Sequence, residues 1–298
     1  MDFPTGAGGV VAVTGSAGFI GRRLTDRLRS GGHEVVEWSR DCVDLTNGEA
    51  LAAAMARDRP SVIYHLAAVG AGPGQGNDQR AAIDNVVMAE NLVAAAPPKT
   101  TLVVAGTMAE YGTGGVLDED MPCHPRTAYG TGKHAAVRHA LTHGPPRGLL
   151  VRVGRLFGVY GPGEAPQRLF PSLLHDLSAS QPVSLSDGKQ QRDFVHVDDA
   201  VASLVQIAAL PGSDPVVINV GTGQGILVGD VCRWIAKAIG VSTALLQFGS
   251  RQRSSGDADQ LVANVTRLRQ LTGLVPPQRL EPVLDLGLFT SGARIDRP

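Results

Sequence analysis

The stretch Val10-Val11-Ala12-Val13-Thr14-Gly15-Ser16-Ala17-Gly18-Phe19-Ile20-Gly21 passes from four apolar residues into glycines spaced three apart. A continuous apolar run fits a strand covered on both faces, and the glycines fit a tight turn that opens a helix. Residues 10–14 therefore read as a buried strand and residues 18–30 as a helix. Such a turn lets the backbone approach a pyrophosphate, whose charge the helix N-terminus favours. The expectation is a dinucleotide cradle at Gly15, Ser16, Gly18, Phe19, Ile20 and Gly21.

Outward from this turn the rhythm repeats. Strands are expected at 34–38, 61–66, 101–105 and 149–153, with helices at 48–57, 78–96 and 129–142. Strands joined by crossover helices imply an α/β fold with a doubly wound parallel sheet of Rossmann type. After Phe157 the pattern becomes mixed, with helices at 170–180, 200–209 and 227–239 and extended runs at 194–197 and 216–220. The division expected is a dinucleotide-binding domain over residues 1–165. A smaller mixed α/β substrate lobe follows over 166–298, with some of its elements returning to the main sheet.

The 298 residues carry 27 Lys and Arg against 28 Asp and Glu, a net charge of -1. With no basic excess, nucleic acid is not an expected partner. Cys42, Cys123 and Cys232 are odd in number and far apart, as in a reducing compartment. No run reaches the length of a membrane span and no charged leader precedes an apolar one, so the expected location is cytoplasmic, away from membranes. His139 and His143 stand four apart, but Ala140 replaces the Glu of a zinc motif and no third ligand is evident, so no metal is expected.

The second chemical signal is Ala128-Tyr129-Gly130-Thr131-Gly132-Lys133. Residues four apart share a helix face, so Tyr129 and Lys133 present an acid and a cation together. A free tyrosine titrates near 10, and a nearby ammonium is expected to lower that value toward the working pH. The cofactor is set after the second strand, where an acid holds a ribose hydroxyl and an arginine accommodates a 2′-phosphate. The residue at the expected acidic position is Ser39, followed by Arg40, which favours NADP; Glu37 keeps NAD open if the strand ends earlier.

With these residues in view, the chain resembles the extended short-chain dehydrogenase/reductase family of nucleotide-sugar epimerases, dehydratases and reductases. The resemblance runs through most of the chain. It implies that Asp44, followed by Leu45, approaches the adenine, and that Leu66, Ala67 and Ala68 after His65 line the nicotinamide ribose. Asn85 matches the family's Asn in the next helix, and Phe157 lies in the loop beside the active site. Thr107, in Gly106-Thr107-Met108-Ala109-Glu110-Tyr111, takes the catalytic hydroxyl position and binds substrate, joining Tyr129 and Lys133. Arg192 and Arg253 are implied as contacts to the nucleotide phosphates. The helices near 84–96 and 130–141 imply a homodimer. Gly158 departs from the family, standing where many epimerases have an Asn that touches the substrate.

The family's dehydratases place an Asp-Glu pair after the catalytic Thr; Met108 and Ala109 stand here, which argues against dehydration. The resemblance implies an NAD(P)-dependent nucleotide-sugar oxidoreductase, with 4-ketoreduction of a keto-deoxy sugar favoured over 4-epimerisation with retained NAD. A non-catalytic dinucleotide-sensing regulator is the third reading, against which the presence of Thr107, Tyr129 and Lys133 together counts.

Overall fold

The computed structural model describes residues 9–72, 77–253 and 257–280. In chain order the main elements begin β1 (Val11–Thr14), α1 (Phe19–Ser30), β2 (Val35–Trp38), α2 (Gly48–Asp58), β3 (Val62–His65) and α3 (Gln79–Ala95). They continue with β4 (Thr101–Thr107), β5 (Gly115–Leu117), α4 (Ala128–His143), β6 (Leu150–Leu156), β7 (Gly158–Tyr160) and α5 (Leu169–Ser178). Then come β8 (Val183–Leu185), β9 (Gln191–His196), α6 (Val197–Ala208), β10 (Val216–Val220), β11 (Gly225–Leu227) and α7 (Val228–Ile239). The last are β12 (Leu246–Phe248), β13 (Gln260–Ala263) and α8 (Thr266–Thr272).

Six parallel strands form the main sheet in the order β10-β6-β4-β3-β1-β2. The strand order reverses between β1 and β3, where doubly wound sheets open a crevice at their carboxyl ends. Alternation along each strand feeds two cores. Val11 and Val13 of β1 pack with Leu24 and Leu28 of α1 and with Val201 and Leu204 of α6. Ala12 faces the other way, toward Leu51 of α2, Leu92 of α3 and Val137 of α4. The sheet is Rossmann-like, as the sequence predicted.

Two strands of the main sheet run further than predicted, and both extensions matter. β4 continues to Thr107 and β6 to Leu156, because their ladder still pairs Gly106 with Arg155 and Thr107 with Leu156. The catalytic hydroxyl position is therefore the last rung of a paired strand. A second sheet, β11-β9-β13-β5, joins short segments from both halves of the chain. β5, too short to show a period, was not anticipated; it belongs to residues 1–165 yet pairs with β13, while β10 returns to the main sheet. A third core, with Phe170, Leu173, Val231 and Ile235, holds α5 and α7 together beside the crevice.

Helix α4 begins at Ala128 with Thr127 as its cap, whose hydroxyl accepts from the Gly130 N–H at 3.0 Å. Its first turns lie tight against their neighbours. A Cβ on Gly130 would sit 2.6 Å from the Ala109 carbonyl oxygen, and one on Gly132 2.6 Å from that of Ala82 in α3. No helix among the described residues is long and apolar enough to cross a membrane.

Candidate active site

A cleft of about 800 Å³ opens along the carboxyl ends of β1, β3, β4 and β6 and runs on beneath α5 and α7. Its floor at one end is the glycine turn. Gly15 adopts φ +65°, a left-handed conformation, and a Cβ there would lie 2.8 Å from the Ala67 nitrogen. Gly21 is tighter, since its Cβ would lie 2.1 Å from the Gly15 carbonyl oxygen. Ser16 is fully buried, and its hydroxyl has no hydrogen-bond partner. A bare backbone turn with no space for a Cβ fits a pyrophosphate, and Ser16 stands behind it, outside the cleft lining.

The turn is pinned by side chains behind it. The Thr14 hydroxyl accepts from the N–H groups of Leu66 and Ala67, both at 3.1 Å. Burial, with Lys133 adding to it, holds the His65 imidazole neutral, its pKa pushed down to about 3. Its Nδ1 lies 3.0 Å from the Thr14 hydroxyl, which already accepts two N–H bonds and so donates to that nitrogen. Asn85 works the same way on the next loop, accepting from the Val69 N–H and donating to the carbonyls of Val69 and Ala81.

The cleft brings together Gly15, Gly18, Phe19, Ile20, Gly21, Leu66, Ala68, Thr107, Tyr129, Lys133, Phe157 and Arg192 of the predicted residues. Others stand behind or beside it. Ala67 packs in the second core, Leu45 is buried there too, and Asn85 braces the loop after β3. β2 ends at Trp38, whose carbonyl accepts from the Gly15 N–H at 3.1 Å, so Ser39 is the first residue past the strand and Arg40 is exposed. Glu37, the alternative ribose ligand, is 2.7 Å from Arg29 of α1. Asp44 is exposed and caps a local turn, accepting from the Thr46 N–H and hydroxyl.

At the catalytic end, Thr107 closes β4 and caps the short 3-10 turn Met108–Glu110. Glu110 reaches back beneath it, its Oε1 accepting from the Thr107 N–H at 2.8 Å. Its other oxygen lies 3.3 Å from Arg155 Nε and 3.5 Å from His134 Nδ1. Burial works to raise the Glu110 pKa, yet His134, Arg155, the Thr107 N–H and Lys133 together hold it below the ordinary value. An ionised carboxylate thus sits under the reaction centre with its lone pairs spoken for. Nothing local in the sequence marks it for this role.

Tyr129 and Thr107 line the cleft together. The electrostatics here differ from expectation. Burial pushes the phenol above its usual pKa, and the opposing pulls come from Thr107 and the charge of Arg168, while Glu110 adds to the rise. Lys133, 2% exposed, is itself lowered by burial to about 8, with Glu110 resisting. Desolvation of both groups outweighs the attraction that one helical turn of spacing suggested.

Around the lobe the arginines divide. Arg192 lines the cleft while its guanidinium donates to Asp257 and to the carbonyls of Gln191 and Ala258. Arg253 is held between Asp187 and Asp259 at 2.7 and 2.6 Å and does not line the cleft. Arg251 does. Two residues on, the chain turns the other way, and no sequence period reveals which arginine faces inward. Gly158 also lines the cleft; a Cβ there would lie 2.8 Å from the Asp193 carbonyl oxygen, so no side chain fits at the position where an Asn was expected. Among the described residues no group of three or more His, Cys, Asp or Glu could hold a metal ion.

Residues 11–221 match the model of the NAD dependent epimerase/dehydratase family, and the chain belongs to that family. A dTDP-6-deoxy-L-talose 4-dehydrogenase (NAD(P)(+)) from Kitasatospora kifunensis is 30% identical, the match covering 99% of this chain and 100% of that one. A probable UDP-glucuronate 4-epimerase from Rhizobium meliloti (strain 1021) is 26% identical over 90% of this chain and 93% of the other. Among solved structures, MoeE5 in complex with UDP-glucuronic acid and NAD superposes with a TM-score of 0.77 at 29% identity, covering 91% of this chain and 94% of that one. The chain is therefore an NAD(P)-dependent enzyme of the nucleotide-sugar epimerase, dehydratase and reductase class, which sets aside the non-catalytic regulator.

Proposed function

We propose that this enzyme reduces the C4 ketone of a 4-keto-6-deoxy nucleotide sugar with NAD(P)H. The observation that carries the reading is that Thr107, Tyr129 and Lys133 meet in one cleft, where burial pushes the phenol above its ordinary value and keeps it protonated. A group held protonated is suited to giving a proton. The two positions after Thr107 present the thioether of Met108 and the methyl of Ala109 to the cleft, so dehydration lacks its acid and base there.

The residues divide the work as follows. Gly15, Ser16, Gly18 and Gly21 cradle the pyrophosphate, and Lys133 reaches the ribose hydroxyls from beneath. When bound, the cofactor supplies the hydride. Thr107 donates a hydrogen bond to the ketone oxygen and holds the carbonyl carbon in line. Tyr129 gives its phenolic proton to that oxygen as the carbon is reduced, and the nearby charge of Lys133 eases the passing negative charge on the phenolate. Arg192 and Arg251 take the nucleotide diphosphate. Ser39 and Arg40 receive the adenine ribose, Arg40 meeting a 2′-phosphate; the pairing of Glu37 with Arg29 supports this over a ribose contact from Glu37.

The experiment is NAD(P)H oxidation with a panel of 4-keto nucleotide sugars, product stereochemistry read by NMR. Stoichiometric reduction that disappears in Tyr129→Phe supports the reading. A tightly retained NAD with interconversion of C4 epimers and no net reduction refutes it in favour of the 4-epimerase, the second reading, which the likeness to the UDP-glucuronate 4-epimerase favours. The homodimer belongs to the proposal as well, and light scattering on the eluting enzyme tests it.

A further inference from the structure

The loop after β7 brings a carboxylate into the cleft that the mechanism above does not use. The Glu164 side chain is 7% exposed and lines the cleft together with Thr107 and Tyr129. Its Oε2 has no hydrogen-bond partner. The other oxygen, Oε1, lies 3.7 Å from Nε of Arg168, beyond hydrogen-bond distance. Buried polar groups in folded proteins almost always find partners, so a nine-tenths-buried carboxylate with an open oxygen marks a place where a ligand supplies one. The small cavity that Glu164 also borders is lined by Phe170, Pro171 and Leu174, whose side chains offer it no polar partner.

We propose that Glu164, steadied by Arg168, is a specificity-determining residue for the sugar ring, its open oxygen taking a ring hydroxyl. The proposal rests on the reading that the ligand is a nucleotide sugar. Burial raises the Glu164 pKa to about 7, so near neutrality the side chain serves as donor or acceptor to a hydroxyl. Arg168 links the subsite to the chemistry, because its charge also reaches the Tyr129 phenol. The small cavity beside Glu164 measures about 100 Å³. Water held there is the competing partner for the open oxygen.

The test separates sugar from nucleotide. Calorimetric titration of the cofactor-loaded enzyme with dTDP-6-deoxy-L-talose against dTDP, and with UDP-glucose against UDP, gives the affinity that the sugar adds. One hydrogen bond to a buried polar group corresponds to about five- to ten-fold in affinity. Glu164→Ala is expected to remove that much of the sugar's contribution while leaving dTDP and UDP binding unchanged. Glu164→Gln, which keeps both a donor and an acceptor, is expected to stay within about three-fold of wild type. A sugar contribution unchanged in Glu164→Ala overturns the proposal and assigns the oxygen to water. An equal loss for sugar and nucleotide overturns it too, as a structural effect. A wild type that gains nothing from either sugar also overturns it. Sugar-dependent binding that needs Glu164, without turnover of any 4-keto sugar, supports the subsite and refutes the reductase; turnover with a sugar contribution indifferent to Glu164 does the reverse.

Discussion

The two ends of the cleft are built by different means. The cofactor end is made of backbone: a left-handed Gly15, a Gly21 with no space for a methyl, and side chains such as Thr14 and Asn85 that hold loops rather than ligands. The sugar end relies on charged side chains whose partners come from distant segments, as in Arg192 with Asp257 and, just outside the cleft, Arg253 with Asp187. A backbone cradle tolerates no change in shape and reads only what the family's cofactors share. Ion pairs can be exchanged one at a time, which leaves substrate choice open to change while the cofactor site stays fixed.

The largest effect should come from the centre, where both halves meet. Tyr129→Phe removes one transferable proton and should lower kcat by about 10²–10⁴-fold with cofactor affinity nearly unchanged, measured by single-turnover kinetics and dinucleotide titration. Turnover within a few-fold of wild type would remove Tyr129 from the mechanism. Gly21→Ala tests the backbone end. Overpacking costs about 1–3 kcal/mol, so dinucleotide binding should weaken up to about a hundred-fold; unchanged affinity would mean that the turn yields and the contrast fails.

The third expectation concerns pH. Lys133 is cationic below its pKa of about 8 and loses its charge as pH rises through that value. Tyr129 is raised from its ordinary pKa and keeps its proton over the same range. The kcat for reduction should therefore fall above about pH 8, by about ten-fold for each unit beyond. A profile flat to pH 9.5 would show that Lys133 acts without its charge. At the sugar end, Arg251→Ala should raise KM for the nucleotide sugar by about ten-fold through loss of a charge-assisted bond. Arg253→Ala should stay within about three-fold, since exposed ion pairs contribute little. The reverse order would move the phosphate contact to Arg253. Last, Arg40→Ala should weaken NADPH by about ten-fold and leave NADH alone; an equal loss of both would point away from a 2′-phosphate contact.

The same contrast decides what could be read from the sequence. Val10 to Gly21 announced its strand, turn and helix because apolar runs and glycines carry local meaning, and the order of strands and helices followed from the same periods. The helix bearing Tyr129 and Lys133 was legible for the same reason. Glu164 was not, because nothing local marks a carboxylate that loses its water only when α5 folds over it. The choice of Arg251 over Arg253 at the cleft depends on Asp187 and Asp259, the first of them more than sixty residues away. The direction of the Tyr129 shift was missed because spacing along a helix reveals the cation but not the depth of burial, and burial is the larger influence.

Gly130 and Gly132 give the catalytic helix an unusual dependence on its surroundings. Each glycine lowers intrinsic helix stability by about 1 kcal/mol relative to alanine, and two of them fall between Tyr129 and Lys133. Neither can be exchanged for alanine, since the methyl would strike the Ala109 or Ala82 backbone. The turn that holds the acid and the cation is therefore the part of α4 least able to form alone. It is ordered by docking against α3 and the Met108–Glu110 turn, so the amides of residues 130–133 should exchange with solvent through openings that leave Val137 and Ala140 in the core protected. The usual glycine-to-alanine route to a sturdier enzyme is closed at this spot. Any gain in rigidity there has to be engineered into the neighbours.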